Sequence, residues 1–114
     1  MVQKLILFQK IYDFVLWLDP VVQGFSKAHR YTLGIHIQNE TLELMQSVIR
    51  VNLKKVKQEF IDECIVHYET VKVLMRLAYD MRGSGTLSMR QYEHAAKRLE
   101  EIGRLLGGWK NKFS

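Results

Sequence analysis

Residues 87–109, LSMRQYEHAAKRLEEIGRLLGGW, decide the fold. Ser88 is a good helix N-cap, and Gln91, three positions on, can reach back to the Ser88 amide in the capping-box pattern. Beyond it Tyr92, Ala95, Leu99, Ile102 and Leu106 recur at three- and four-residue spacing, which puts them on one face of an α-helix. The opposite face is left to Arg90, Lys97, Arg98 and Arg104. Gly107 and Gly108 supply a stop signal, because glycine is favoured just past a helix end. Trp109 then reads as a cap that seals the end of a bundle. Such a helix packs inward through its apolar stripe and shows positive charge outward.

The same period predicts three more helices. The first runs over about residues 4–22, with Leu7, Ile11, Phe14, Leu18 and Phe25 on one stripe and Leu5, Phe8, Tyr12 and Val15 on another. Pro20 removes one backbone donor near its end and is expected to kink the last turn. After a Gly24-Phe25-Ser26-Lys27 connection, the second helix spans about residues 28–51 with Leu33, Ile37, Leu44, Val48 and Val51 inward. The third spans about residues 55–82, carrying Phe60, Cys64, His67, Val71, Leu74 and Ala78 on one stripe, with Ile61, Ile65, Tyr68, Met75 and Tyr79 beside it. Gly83-Ser84-Gly85-Thr86 breaks the chain before the Ser88 cap. Four helices with short connections predict an all-α fold, an up-down four-helix bundle in which residues 1–114 form a single domain.

Two apolar stripes on the first helix exceed what one bundle interior needs. Either that helix is wholly buried or its second face meets another subunit. A 114-residue bundle seldom encloses a helix completely, which favours an oligomer contact through Leu5, Phe8, Tyr12 and Val15.

Composition agrees with a helical chain: hydrophobic residues make up 47%, and a single proline argues against a β-rich or disordered one. Seventeen Lys and Arg against twelve Asp and Glu give a formal charge of +5, so a polyanion is a more plausible partner than a cationic surface. From Ser88 onward six basic residues face three acidic ones, so most of the excess sits in the last quarter. A solubilising surface explains a charge of this size about equally well. Cys64 is the only cysteine, which excludes an internal disulfide and suits a reducing, cytoplasmic setting. Lys10, Asp13 and Asp19 interrupt the apolar N-terminal run, so neither a signal peptide nor a membrane span is expected. Asn39-Glu40-Thr41 matches a glycosylation sequon inside a helical pattern and reads as coincidence.

Catalytic chemistry is not predicted. Bundle-core metal sites need carboxylates on two helices and Glu-x-x-His spacing on the others, which the sequence lacks. Glu63, Cys64 and His67 offer only pairs of ligands on one helix, too few for a closed zinc site, so no metal and no cofactor are expected and His67 reads as a core-edge histidine. Cys64 sits between apolar neighbours, where a thiol behaves as a small hydrophobe. The Gly83-Ser84-Gly85 turn lacks the lysine and hydroxyl spacing of a phosphate-binding loop. His29-Arg30-Tyr31 could stack on bases. The favoured reading is structural, a helix start whose Tyr31 folds onto the bundle and whose Gly34 permits a close helix approach.

Residues 12–45, YDFVLWLDPVVQGFSKAHRYTLGIHIQNETLELM, and residues 74–111, LMRLAYDMRGSGTLSMRQYEHAAKRLEEIGRLLGGWKN, resemble the accessory variability determinant of diversity-generating retroelements. That family lies within a broader set of four-helix bundles that includes the ribosomal-RNA intervening-sequence proteins. The resemblance is carried by Tyr12-Asp13, Trp17 to Pro20, His29 to Gly34, Ile37-Gln38-Asn39, and the Arg90-Gln91-Tyr92 to Gly107-Gly108-Trp109 ending. Where this chain has Ile37 to Thr41, the ribosomal branch usually has a basic, serine-rich run.

The resemblance implies a homopentameric barrel of four-helix bundles. It also implies binding to the element's error-prone reverse transcriptase and a basic surface on the template RNA, or on DNA as the other polyanion. Mutagenic cDNA synthesis would be the polymerase's chemistry, and this chain would be scaffold and clamp. Charge then nominates Arg90, Lys97, Arg98 and Arg104 as the RNA face, with Arg98 to one flank, extended by Lys54, Lys55 and Lys57 and by Lys110 and Lys112. Two other readings stand beside it: a purely structural oligomerisation module, and a ribosomal-RNA-associated bundle with no polymerase partner.

Overall fold

Apolar periodicity of 3.6 residues is answered by four helices in the computed structural model, which describes residues 2–53, 58–81 and 85–113, with the side chains of 2–5 and 113 outside the description. Helix α1 is Val2–Gln23. Helix α2, residues 27–53, is a continuous rod made of Lys27–His29, a wider π-helical turn Arg30–Gly34, and Ile35–Leu53. Helices α3, Gln58–Asp80, and α4, Met89–Phe113, complete the chain. Each helix packs on its neighbours in sequence, and α4 closes back on α1, which is the up-down four-helix bundle.

Leu7, Ile11, Phe14, Leu18, Ile37, Leu44, Val48, Val51, Ile102 and Leu106 are essentially inaccessible. In α3 the core takes Ile61, Cys64, Tyr68, Val71, Met75 and Ala78, drawn from both expected stripes. Phe60, His67 and Leu74 are only half-buried. The inward face therefore lies between the two stripes, because α2 and α4 flank α3 from both sides. Helix α1 is not wholly buried, with Tyr12 45% and Leu16 60% exposed. It also continues through Pro20, whose carbonyl accepts from the Gly24 amide at 3.1 Å.

Two expectations need correction. Gly107 and Gly108 do not stop α4, which runs to Phe113. Trp109 falls three positions after Leu106 on the inward face and is 2% exposed. Burying an indole outweighs the roughly 1 kcal/mol that each helical glycine costs. Tyr31 does not fold onto the bundle either: it is 61% exposed, with the Arg30 guanidinium 5.1 Å from its ring. The π-helical turn, invisible to a count of 3.6-residue periods, turns Leu33 and Gly34 inward instead. Gly34 does serve a close approach, since a β-carbon there would lie 2.8 Å from Val22 Cγ1.

The connections are tied to each other. Gly85 has φ +77°, and its carbonyl accepts from the Ser26 amide at 2.7 Å, locking the α3–α4 connection to the α1–α2 connection. At the start of α4 the Ser88 amide donates to Gln91 Oε1 at 3.0 Å and the Gln91 amide donates to Ser88 Oγ at 3.1 Å, the expected capping box.

Candidate nucleic-acid interface

The capping box fixes the start of α4, and its buried stripe fixes the rotation, so the outward residues follow. Arg90, Lys97 and Arg104 are exposed and seven positions apart, about 10 Å along the axis between successive members. Seven residues fall about 20° short of two full turns, so the row drifts around the helix. Lys97 therefore borders the α1 side and Arg104 the α3 side.

On the α1 side lies a cleft of about 280 Å³ lined by Lys10, His94, Lys97, Arg98 and Glu101. Lys10 Nζ stands 2.9 Å from Glu101, and this contact holds the Glu101 carboxyl below the usual carboxylate range, with Arg104 and Arg98 pulling the same way. Arg98 is half-buried and donates from Nε to His94 Nε2 at 2.6 Å. The imidazole packs on Trp17, ring centroids 4.6 Å apart. Burial lowers the His94 pKa from its ordinary value, and the neighbouring Arg98 and Lys97 charges lower it further.

On the α3 side Arg104 borders a groove of about 430 Å³ with Tyr68, Lys72, Met75, Tyr92, Leu99 and Gly103 among its walls and Glu69 and Glu100 at its rim. Its floor is set by Tyr68, whose hydroxyl donates to the Leu99 carbonyl at 2.8 Å. Tyr79 and Tyr92 stack beside it at 4.6 Å.

Of the other nominated cations, Lys54, Lys55 and Lys57 lie outside the described residues. Lys110 and Lys112 are exposed, but six and eight positions after Arg104 they fall about 120° and 80° away to opposite flanks, so α4 does not align them with the row. Among the nominated interface residues, Phe8 and Val15 are half-buried and Tyr12 is exposed, while the side chain of Leu5 is outside the description. Lys10, His94 and Trp17 were missed. Lys10 and Trp17 join the α4 cations only because α1 and α4 pack side by side, and no local pattern announces that pairing.

Cys64 and His67 lie away from both clefts and are engaged within the bundle. Burial pushes the Cys64 thiol up to about 11, against an opposing hydrogen bond from Ser47. His67 Nδ1 lies 2.7 Å from Glu40 Oε1, and Arg50 pairs with Glu63 across α2 and α3. Among the described residues no group of three His, Cys, Asp or Glu side chains is placed to hold a metal, and no described helix is long and apolar enough to cross a membrane.

The sequence model of the bAvd-like family matches residues 5–113. The chain belongs to the bAvd-like family. The match reaches into all four helices and covers residues 46–73, between the two segments that carry the resemblance. Comparison with curated proteins and with solved structures gave no match.

Proposed function

We propose that this member of the bAvd-like family is a non-catalytic accessory protein of a diversity-generating retroelement, binding its error-prone reverse transcriptase and template RNA so that mutagenic cDNA synthesis can proceed. Family membership over residues 5–113 carries the reading. The exposed row of Arg90, Lys97 and Arg104 supports the RNA part of it, since cations about 10 Å apart can each meet a different phosphate.

Assembly into a homopentameric barrel belongs to the same reading. It draws support from large apolar side chains left exposed on three helices of the bundle: Tyr12 and Leu16 on α1, Leu42, Ile49 and Leu53 on α2, and Val66, Val73 and Leu77 on α3. Unlike apolar faces on different helices suit head-to-tail contacts, which form a ring where the rotation between copies closes. Five copies of a chain at +5 would present about +25 to a polyanion.

The test is a triple substitution of Arg90, Lys97 and Arg104 by Ala, measured for RNA affinity over a series of salt concentrations. With one phosphate per cation, the log–log salt slope flattens by about 2, at about 0.7 per single-strand phosphate. A triple variant that stays helical and keeps its slope means that this face is merely solvated. Co-purification of the wild-type chain with the reverse transcriptase and its template tests the polymerase part and separates this reading from a bare oligomerisation module.

A further inference from the structure

The cleft between α1 and α4 holds His94 in hydrogen-bond contact with a neighbouring cation. A guanidinium offers only N–H donors and no acceptor, so across their 2.6 Å contact Arg98 Nε–H donates and His94 Nε2 accepts. A ring nitrogen that accepts carries no proton. The arrangement thus belongs to the neutral imidazole, which holds the Nε edge of Arg98 against the protein instead of presenting it to the cleft. Trp17 supports the ring from α1.

The ionisable groups around His94 come from both helices. From α1 they are Lys10, engaged by Glu101, and Asp13, which accepts from Gln9 at 2.9 Å. From α4 they are Lys97, Arg98 and Glu101 in the cleft wall, with Arg90 one turn earlier. Three cations against one carboxylate leave the cleft positive even with His94 neutral. Its volume of about 280 Å³ admits a phosphate group with several waters at about 30 Å³ each.

We propose that this cleft is a phosphate site gated by His94, in which proton and phosphate bind together: protonation breaks the His94–Arg98 hydrogen bond, frees the guanidinium edge and adds an imidazolium donor beside it. Two adjacent cations repel each other until an anion sits between them, so a bound phosphate stabilises the protonated ring. By reciprocity, a protonated ring strengthens phosphate binding. Burial first, and then the Arg98 and Lys97 charges, keep the His94 ring below its ordinary value; the charge contribution is the part that a bound phosphate would offset. The proposal rests on the polyanion-binding reading above and adds a pH dependence to it. The phosphate is either an internal phosphodiester or a terminal monoester of RNA, and the cleft's chemistry suits both.

The experiment uses the full chain, as wild type and as His94→Gln, whose amide oxygen still accepts from Arg98 but takes no proton. Affinity for a short single-stranded RNA, with and without a 5′-phosphate, is measured at constant ionic strength from about pH 8 to 5.5, the range in which histidine titrates. Wild-type affinity for the unphosphorylated RNA should rise as pH falls, by at most about tenfold per unit for one linked proton, and His94→Gln should stay flat near the wild-type high-pH value; for the 5′-phosphorylated RNA, whose monoester also takes a proton in this range, the gain is read relative to His94→Gln. A gain confined to the phosphorylated RNA identifies the monoester, and an equal gain with both identifies the phosphodiester. An unchanged pH dependence in His94→Gln overturns the gate. In parallel, NMR titration of the His94 ring with and without inorganic phosphate reads the cleft directly. A rise in its midpoint supports the site, and an unmoved midpoint refutes it. RNA that binds at no pH would sink the polyanion reading, while the ring titration still decides the cleft.

Discussion

Gly103 faces Tyr68 across the α3–α4 contact, and a single methyl group there measures how tightly that contact is made. A β-carbon on Gly103 would lie 2.2 Å from Tyr68 Oη and 2.8 Å from Cζ. Tyr68 is only 7% exposed and is held by its hydrogen bond to Leu99, so the ring cannot swing aside freely. Gly103→Ala therefore forces overpacking, typically about 1–3 kcal/mol, and strains a hydrogen bond worth about 1 kcal/mol. Replacing a helical glycine by alanine returns about 1 kcal/mol. The net is a loss of about 2 kcal/mol, or about 8 °C in Tm at roughly 4 °C per kcal/mol for a domain near this size. Gly107→Ala and Gly108→Ala are the controls, because nothing lies within 4 Å of a β-carbon at either position. Each should gain up to about 1 kcal/mol from helix propensity alone. Adding Tyr68→Phe to Gly103→Ala removes the closest contact, so the pair should be less destabilised than the sum of the singles by about 1 kcal/mol. Thermal unfolding followed by circular dichroism reads all five variants. A Gly103→Ala protein melting at or above the wild type would refute the reasoning.

Two further outcomes follow from the ends of α4 and its α1 flank. Trp109→Ala should cost about 3–5 kcal/mol, as expected for truncating a buried indole, and should release amide exchange protection in the last turn, which two glycines cannot hold alone. Retained protection there would mean that the tail is helical for some other reason. His94 has its folded pKa below the ordinary value near 6.5, so the unfolded chain takes the proton first as pH falls. Its contribution to stability is then complete above about pH 6.5 and is lost as pH drops through the lower folded value. Urea midpoints measured at pH about 7.5 and 5.5 should fall further for wild type than for His94→Gln, and an equal fall in both would contradict the assignment.

The bundle was legible because its evidence is local. Leu7, Ile11, Phe14 and Leu18, or Leu99, Ile102 and Leu106, announce an inward face without reference to anything distant, and Ser88 with Gln91 marks a helix start within four residues. The misread positions are those where tertiary packing overruled a local preference. Trp109 carried α4 through a glycine pair, and a widened turn between Arg30 and Gly34 rotated Tyr31 outward. The same division holds for the site. A row of cations seven residues apart is a property of one helix, so Arg90, Lys97 and Arg104 could be read from the chain. The Arg98–His94–Trp17 contact and the Lys10–Glu101 pair depend on α1 lying beside α4, with more than seventy residues between the partners from the two helices.

The arrangement of faces bears on how a modest charge could suffice. Three phosphate contacts per chain are weak at physiological salt, because each is counterion release rather than shape recognition. Under the proposed assembly the apolar side chains on α1 and α3 would be spent on neighbouring copies, while the α4 row sits on a different corner of the bundle and stays open. Assembly and RNA contact would then not compete for surface. Repetition of the row around a ring would convert each additional phosphate contact into an intramolecular event, so that affinity grows by avidity without any new residue. This favours loss of the apolar contacts as the more damaging change for RNA binding than loss of any one arginine, since it removes every neighbouring row at once.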